Sequence, residues 1–347
     1  MQIKSNLMTI VVLSVSTAVM ANSQTRLGCD GDATQDGQVD TKDLLLAISD
    51  WGSSGGFDID GDGITGVPEV LAILEEWASP CHPFHENMNV VFDYAEGMVI
   101  VTGTGLADHA MGPFDGSTGC FNPNSPSNQN HTWRIPIEPV VGNTSGQVYM
   151  DTFGKIGLML NGVAFYNPWD GGGVDAPSTI CMDDFNGHPS PDGCYHYHQA
   201  PTWGYGDGTG HSDVIGYAAD GYPVYGPWET SAIFAKDVTG SLALDACNGH
   251  EDLDRGYHYH AISFDLDAGG FPWVQGCWHG NPEVSNFEGD DGGGGGGGGG
   301  GPCDTGCGAN MIPPPVCQCV DQNPDYAYCC QDWDAACQTY AENVCGL

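Results

Sequence analysis

The sequence predicts a mainly β protein, and three observations carry that expectation. Of 347 residues, 53 are glycine and 22 proline, too many turn formers for long helices. Short β-branched and aromatic runs, Val90 to Tyr94, Met98 to Thr102 and Trp133 to Ile137, are separated by Gly, Pro and Asn. Hydrophobic residues reach 40% and aromatic ones 10%, enough for a packed core rather than general disorder. Seven Lys and Arg against 45 Asp and Glu give a net charge of −38. This excludes nucleic acid and anionic membrane as main partners, because both require a basic face. Cations must take up part of that acidity.

Residues 1–21 read as a secretory signal: Lys4, an apolar stretch from Leu7 to Met20, then small residues at Val19 and Ala21. The run is too short, and too broken by Ser and Thr, for a membrane anchor. No second apolar run approaches ~18 residues, so no membrane insertion is expected. Fifteen Cys fit an oxidising compartment. The expected location is secreted or extracellular, periplasmic and cell-surface sites included.

The next segment, residues 29–81, contains a gapless repeat: Asp32 to Trp51 recurs from Asp58 to Trp77. In the first copy Asp32, Thr34, Asp36, the Gln38 carbonyl, Asp40 and Asp43 fall at the ligand positions of a twelve-residue Ca²⁺ loop, with Gly37 at the sharp turn. In the second the set is Asp58, Asp60, Asp62, the Ile64 carbonyl and Glu69, with Gly63 at the turn. Each loop runs into a helical pattern, Leu44, Leu45 and Ile48 recurring as Val70, Leu71 and Leu74. Cys29 and Cys81 flank the repeat and are expected to pair. In the chain-entropy model such a closure stabilises by about 4 kcal/mol. The segment resembles a type I dockerin, a small α-helical calcium module that docks onto cohesins. The resemblance implies calcium as cofactor and a cohesin-like partner. Thr34 departs from the usual Asn or Asp at its position.

Residues 88–284 form the main expected domain, and a second duplication lies inside it. Ile156-Gly157, Asn161-Gly162, Tyr166, Pro168, Trp169 and Asp170 recur in the same order and spacing as Ile215-Gly216, Asp220-Gly221, Tyr225, Pro227, Trp228 and Glu229. Asn186-Gly187-His188 and Tyr195-His196-Tyr197-His198 recur, at a slightly larger offset, as Asn248-Gly249-His250 and Tyr257-His258-Tyr259-His260. In a strand, His196 and His198 share one face while Tyr195 and Tyr197 take the other. Two rises span ~6.6 Å, a distance imidazoles close around one ion at ~2.0–2.1 Å. His188 and His250, in Gly-flanked turns, are expected to fold over the strands and complete three-His sets. Neutral imidazole suits Zn²⁺, Cu²⁺ or Ni²⁺ better than Mg²⁺ or Ca²⁺. The sequence leaves open one shared centre or two.

These motifs, with Gly105-Leu106-Ala107-Asp108-His109, Asp220 to Gly226 and Gly276-Cys277-Trp278, closely resemble the YHYH domain family from about residue 90 to 284. The resemblance implies metal binding and no established reaction. It adds His109 as a ligand or a hydrogen-bonding helper. Asp220, where the first copy has Asn161, is either a carboxylate that orients a His or a turn acid. Of five Cys in this domain, Cys181 with Cys194 and Cys247 with Cys277 bracket the histidine motifs and are the expected staples, with Cys120 left over. Trp169, Trp203, Trp228 and Trp273 suit core packing better than a carbohydrate-stacking surface.

Residues 285–302, including ten consecutive glycines, read as a flexible linker. Residues 303–347 hold eight Cys, and Cys329, Cys330, Trp333 and Cys337 resemble a Cys-rich tail of secreted bacterial proteins. The whole reads as a secreted modular metal-binding protein with a His-built Cu²⁺ or Zn²⁺ site. The alternatives are a copper- or zinc-dependent enzyme, oxidative or hydrolytic, and an adhesion or scaffold protein with structural histidines. No Gly-x-Ser-x-Gly or His-Glu-x-x-His signature names a catalytic base.

Overall fold

The structure is a computed structural model that describes residues 27–287, apart from 55, 143–147, 150–153, 171–173, 265 and 267–269. The expected signal segment, glycine run and Cys-rich tail lie outside the described residues.

The fold is mainly β. Two nine-residue helices come first, α1 (Thr41–Ser49) and α2 (Val67–Glu75). Asp43 and Glu69 sit in their first turns, fully buried, with carboxylates accepting backbone N–H bonds. Buried acids are tolerated there because donors replace the lost water. The apolar stripe read from the sequence is buried only in part. Ala47 and Ile73 are buried with Val39 and Cys81, and Leu44 and Val70 pack beside them. Leu45, Ile48, Leu71 and Leu74 are exposed. The disulfide Cys29–Cys81 closes the segment as expected.

Three antiparallel strands follow, β1 (Asn89–Asp93), β2 (Met98–Gly103) and β3 (His131–Pro136). They match the three runs read from sequence to within two residues. The main sheet has eight strands: β4 (Lys155–Met159), β5 (Ala164–Tyr166), β6 (Gly187–Pro189), β7 (Tyr195–Tyr197), β8 (Val214–Ala218), β9 (Pro223–Tyr225), β10 (Gly249–Asp252) and β11 (Gly256–His260). Their order is β10-β11-β9-β8-β4-β5-β7-β6. Only β5–β7 and β9–β11 are parallel pairs. β4 and β8 lie side by side at the centre, antiparallel, with Leu158 opposite Tyr217. Gly157 and Gly216 permit that closeness, since a Cβ on either would strike the neighbouring backbone.

Both faces of the sheet are buried. One face sends Phe165, Tyr195, Tyr197, Val224 and Tyr259 into a core with Trp278 and Cys277. The other sends Leu158, Ala164, Tyr217 and Tyr225 against Val99, Val101, Trp133 and Ile135 of the three-stranded sheet. The turn Val284–Phe287 docks on β3, where Asn286 exchanges two side-chain bonds with the Arg134 backbone. Trp273 is buried, while Trp169 and Trp228 lie half-buried against Phe271 and Phe234.

Cys247 pairs with Cys277 as anticipated, but Cys181 pairs with Cys120 rather than Cys194. The Cα atoms of Cys120 and Cys181 lie 5.2 Å apart, within disulfide reach. Cys194, just before β7, is buried on the face of Trp133, its Sγ 3.6 Å from both Tyr166 Oη and His131 Nε2. Closeness in sequence favoured the wrong partner, because the fold buries Cys194 beside Trp133 and His131 and brings Cys181 to Cys120 instead.

Candidate metal centres

The same local device opens β6 and β10. Asn186 and Asn248 take φ values of 66° and 60°, a left-handed conformation that Asn tolerates better than most residues. Asp183 and Asp245 close the two turns by accepting N–H bonds from Gly187 and Gly249, 3.1 Å each. A Cβ on either glycine would collide with the ring of Tyr195 or Tyr257. The next residue therefore enters a strand, so His188 and His250 are not in turns folded over the His-x-His strands, as the sequence suggested. They stand beside them, His188 as Cα partner of His196 and His250 of His258. Partnered residues share a face.

Two clusters result, with four strands between β7 and β11. In the first, His188, His196 and His198 each offer a nitrogen within 4.8 Å of the others. The His196 ring donates from Nδ1 to the Cys194 carbonyl at 2.9 Å, and His198 Nδ1 to the Asn167 carbonyl at 2.5 Å. Carbonyl oxygens only accept, so both protons sit on Nδ1 and each neutral ring turns a bare Nε2 inward. Those two Nε2 atoms are 3.0 Å apart. Two donors ~2.0–2.1 Å from one ion would be separated by about 3 Å. Both nitrogens of His188 are buried, without a hydrogen-bond partner among the described residues. Tyr166 stacks on His196 at 3.9 Å between ring centroids.

The second cluster repeats this arrangement and extends it. His258 Nδ1 donates to the Gly256 carbonyl at 2.9 Å, and His260 Nδ1 to Gly226 at 2.6 Å. His250 Nδ1 is fixed by Leu242 O at 2.6 Å, and its Nε2 faces His258 Nε2 at 3.0 Å. Two further residues join, His211 and Glu229, neither singled out as a ligand from sequence. His211 Nδ1 donates to Ser212 O at 2.8 Å. Glu229 Oε2 lies 3.2 Å from His250 Nε2, 3.5 Å from His260 and 3.8 Å from His211. The signal for Glu229 was its repeat position after Trp228. His211 had no counterpart in the first copy, and only the tertiary fold reveals it.

Burial disfavours the charged imidazolium of His188, His196, His198, His258 and His260, and neighbouring rings add to it at all of these but His198. His188 and His258 are lowered to about 3 and His198 to about 4, while His196 and His260 fall well below their ordinary range. These rings are neutral at pH 7, the state a metal ligand needs.

The opposite face of the sheet carries the tyrosines. Tyr197 Oη lies 2.6 Å from Nε2 of His109 and accepts from Asn161 Nδ2 at 3.2 Å. His109 thus lies with the tyrosines, stacked on Phe185, and joins neither cluster. Asp220 orients a tyrosine rather than a histidine. It accepts from Tyr259 Oη at 2.6 Å and from Gly280 N at 2.9 Å, and burial raises its pKa to about 6. Alternation along β11 explains this, because Tyr259 points away from His258 and His260.

In the acidic loops, carboxylate oxygens of Asp58, Asp60 and Glu69 gather within 4.8 Å of one another. Asp62 faces the loop backbone instead, accepting from Ile64 N at 2.9 Å. In the first loop Asp32 accepts from the Asp36 and Gly37 amides and from Tyr94 Oη. Thr34 Oγ1 donates to Asp43, and Gln38 N to Asp36. Lys42 Nζ lies 2.5 Å from Asp36 and 3.5 Å from Asp40, so a side-chain cation already offsets part of that loop's charge.

No curated protein and no solved structure matches the chain. One family model does, over a span holding the first cluster together with His211 and Glu229 and ending before His250. Residues 132–242 match the YHYH protein family, and over that span the chain is similar to its members.

Proposed function

We propose that this chain is an exported metal-binding protein holding a transition metal, Cu²⁺ or Zn²⁺, at each His cluster. One observation carries the reading. In each cluster two bare Nε2 atoms face one another at 3.0 Å, with their protons committed to backbone carbonyls on the far side. Two buried lone pairs repel unless a cation lies between them. Backbone carbonyls holding Nδ1–H are also the usual support of a ligating imidazole. The two copies are read as a duplication, since the carbonyls of Asn167 and Gly226, at equivalent positions of the repeat, play the same role.

The reading includes Ca²⁺ in the acidic loops and docking through the exposed helix faces. Leu45, Ile48 and Trp51 on one repeat and Leu71, Leu74 and Trp77 on the other are exposed at matching positions, a row suited to a cohesin-like protein. Three disulfides among the described residues support an oxidising compartment. Catalysis by the same metal, oxidative with copper or hydrolytic with zinc, is the second reading and turns on whether a coordination position is open.

The test is metal analysis of protein purified without a His tag. Two ions per chain are expected, with one lost in H196A/H198A and the other in H250A/H258A/H260A. Full metal content in both variants would refute the ligand assignment.

A further inference from the structure

We propose that the two centres are unequal: Glu229 and His211 close the second, while the first leaves its metal a position for water or a small anion. The proposal rests on the metal reading above. The asymmetry is built from side chains. At the repeat offset, His211 corresponds to Thr152, a residue type with no side-chain nitrogen to offer. Glu229 corresponds to Asp170, one methylene shorter, and Asp170 stays outside the first cluster. Its strand, Trp169–Asp170, pairs with Val174–Asp175.

In the second centre the Glu229 side chain is 9% exposed, and its Oε2 accepts no hydrogen bond while lying 3.2–3.8 Å from three imidazole nitrogens. His260 Nε2 and His211 Nε2 are likewise buried without hydrogen-bond partners. Four imidazoles and a carboxylate fill a five-coordinate shell without outside help. Among the described residues the first centre gathers three imidazoles only. Three protein ligands leave a tetrahedral ion one position for solvent or substrate. Charge points the same way. In the first centre the ion meets three neutral rings, with the Asp170 carboxylate acting on His198 from outside the cluster, whereas in the second Glu229 lies inside the cluster and cancels half of the double charge. An anion is therefore drawn to the first.

The probe is azide, with the full chain loaded with Cu²⁺ and read by metal content and by the azide-to-copper charge-transfer absorption. Wild-type protein should hold two coppers and show the azide band from one, a ratio that needs no variant. H250A/H258A/H260A, which leaves the second centre only His211 and Glu229, should keep one copper and the whole band, and H196A/H198A one copper and no band. H211A/E229A should keep two coppers and double the band, because the second centre then has three histidines like the first. Azide bands of equal strength from both centres would overturn the proposal, as would no band from a copper-loaded H250A/H258A/H260A protein. Less than one copper in wild-type protein would instead overturn the metal reading, and this inequality with it.

Discussion

Leu158 lies opposite Tyr217 in the pairing of β4 with β8, at the centre of the eight-stranded sheet. Tyr217 is also the repeat counterpart of Leu158, standing two positions after Ile215 as Leu158 stands two after Ile156. On either side, Met159 pairs with Gly216 and Ala218 with Gly157. The repeat exchanges those two pairs, since Met159 corresponds to Ala218 and Gly157 to Gly216. This places β6 and β7 at one end of the sheet and β10 and β11 at the other, each ending in a ribbon of three histidines. The chains beyond β7 and β11 meet again, Ala200 N–H donating to the Ile262 carbonyl at 3.0 Å.

Coordination separates from structural support at His188. Both of its ring nitrogens are buried without a hydrogen-bond partner among the described residues, so an apolar replacement removes a desolvation cost rather than a bond. His188→Leu should leave metal-free stability unchanged or raised by about 1 kcal/mol, and weaken metal binding at the first centre at least tenfold. Urea unfolding with chelator, and a metal titration, check the two halves. A large stability loss with intact affinity would show a packing role.

Acid should destabilise the metal-free protein. His188, His198 and His258 are lowered to about 3–4 in the fold but return to about 6.5 on unfolding. Between those values the unfolded chain binds protons that the fold refuses, so stability is complete above about pH 6.5 and falls as the pH drops towards 4. Each histidine contributes up to about 1.4 kcal/mol per pH unit. Asp220 acts in the opposite sense, because its folded value is raised to about 6 and the fold binds its proton first. Asp220→Asn should therefore steepen the acid loss. Thermal melts at pH 7.5 and 5 with chelator test both, and a flat profile would contradict the neutral buried rings.

Gly187→Ala and Gly249→Ala should each damage one centre. The added methyl meets the Tyr195 or Tyr257 ring, and relief requires the paired strands to part, at about 1–3 kcal/mol. The expected result is loss of one ion, from the altered copy alone. Loss of both ions from either variant would mean that the clusters are coupled rather than separate.

The acidic loops should take up calcium unequally. The second gathers Asp58, Asp60 and Glu69, whereas the first has Lys42 on Asp36 and Asp40. Calorimetry should give a tighter and a weaker ion, with the tighter lost in D58N/D60N. Lys42→Gln should strengthen the weaker site several-fold by removing the competing ammonium. Absence of any calcium heat would sink the expectation.

Much of the candidate site was legible as pattern. The Tyr-His-Tyr-His alternation told which residues share a face, because the strand period of two leaves no other choice. The Asn-Gly-His repeats marked three histidines per copy. Their placement was not legible: His188 and His250 became strand partners because Asn186 and Asn248 absorb the turn two residues earlier. The helical stripe that includes Leu45, Ile48, Leu71 and Leu74 was legible, but its exposure was not, since helix periodicity reports an apolar face and not what covers it.

By itself, the sequence determined the β character, the Cys29–Cys81 and Cys247–Cys277 pairs and the six repeated histidines. Composition, bracketing and local periodicity suffice for these. The tertiary structure decided that the histidines form two clusters, that Cys120 takes Cys181, that Asp220 serves Tyr259, and that His211 and Glu229 complete the second cluster. Each depends on where separate strands come to lie. His211 precedes β8 while His258 and His260 stand on β11, and Glu229 reaches both only because β9 lies between them in the sheet.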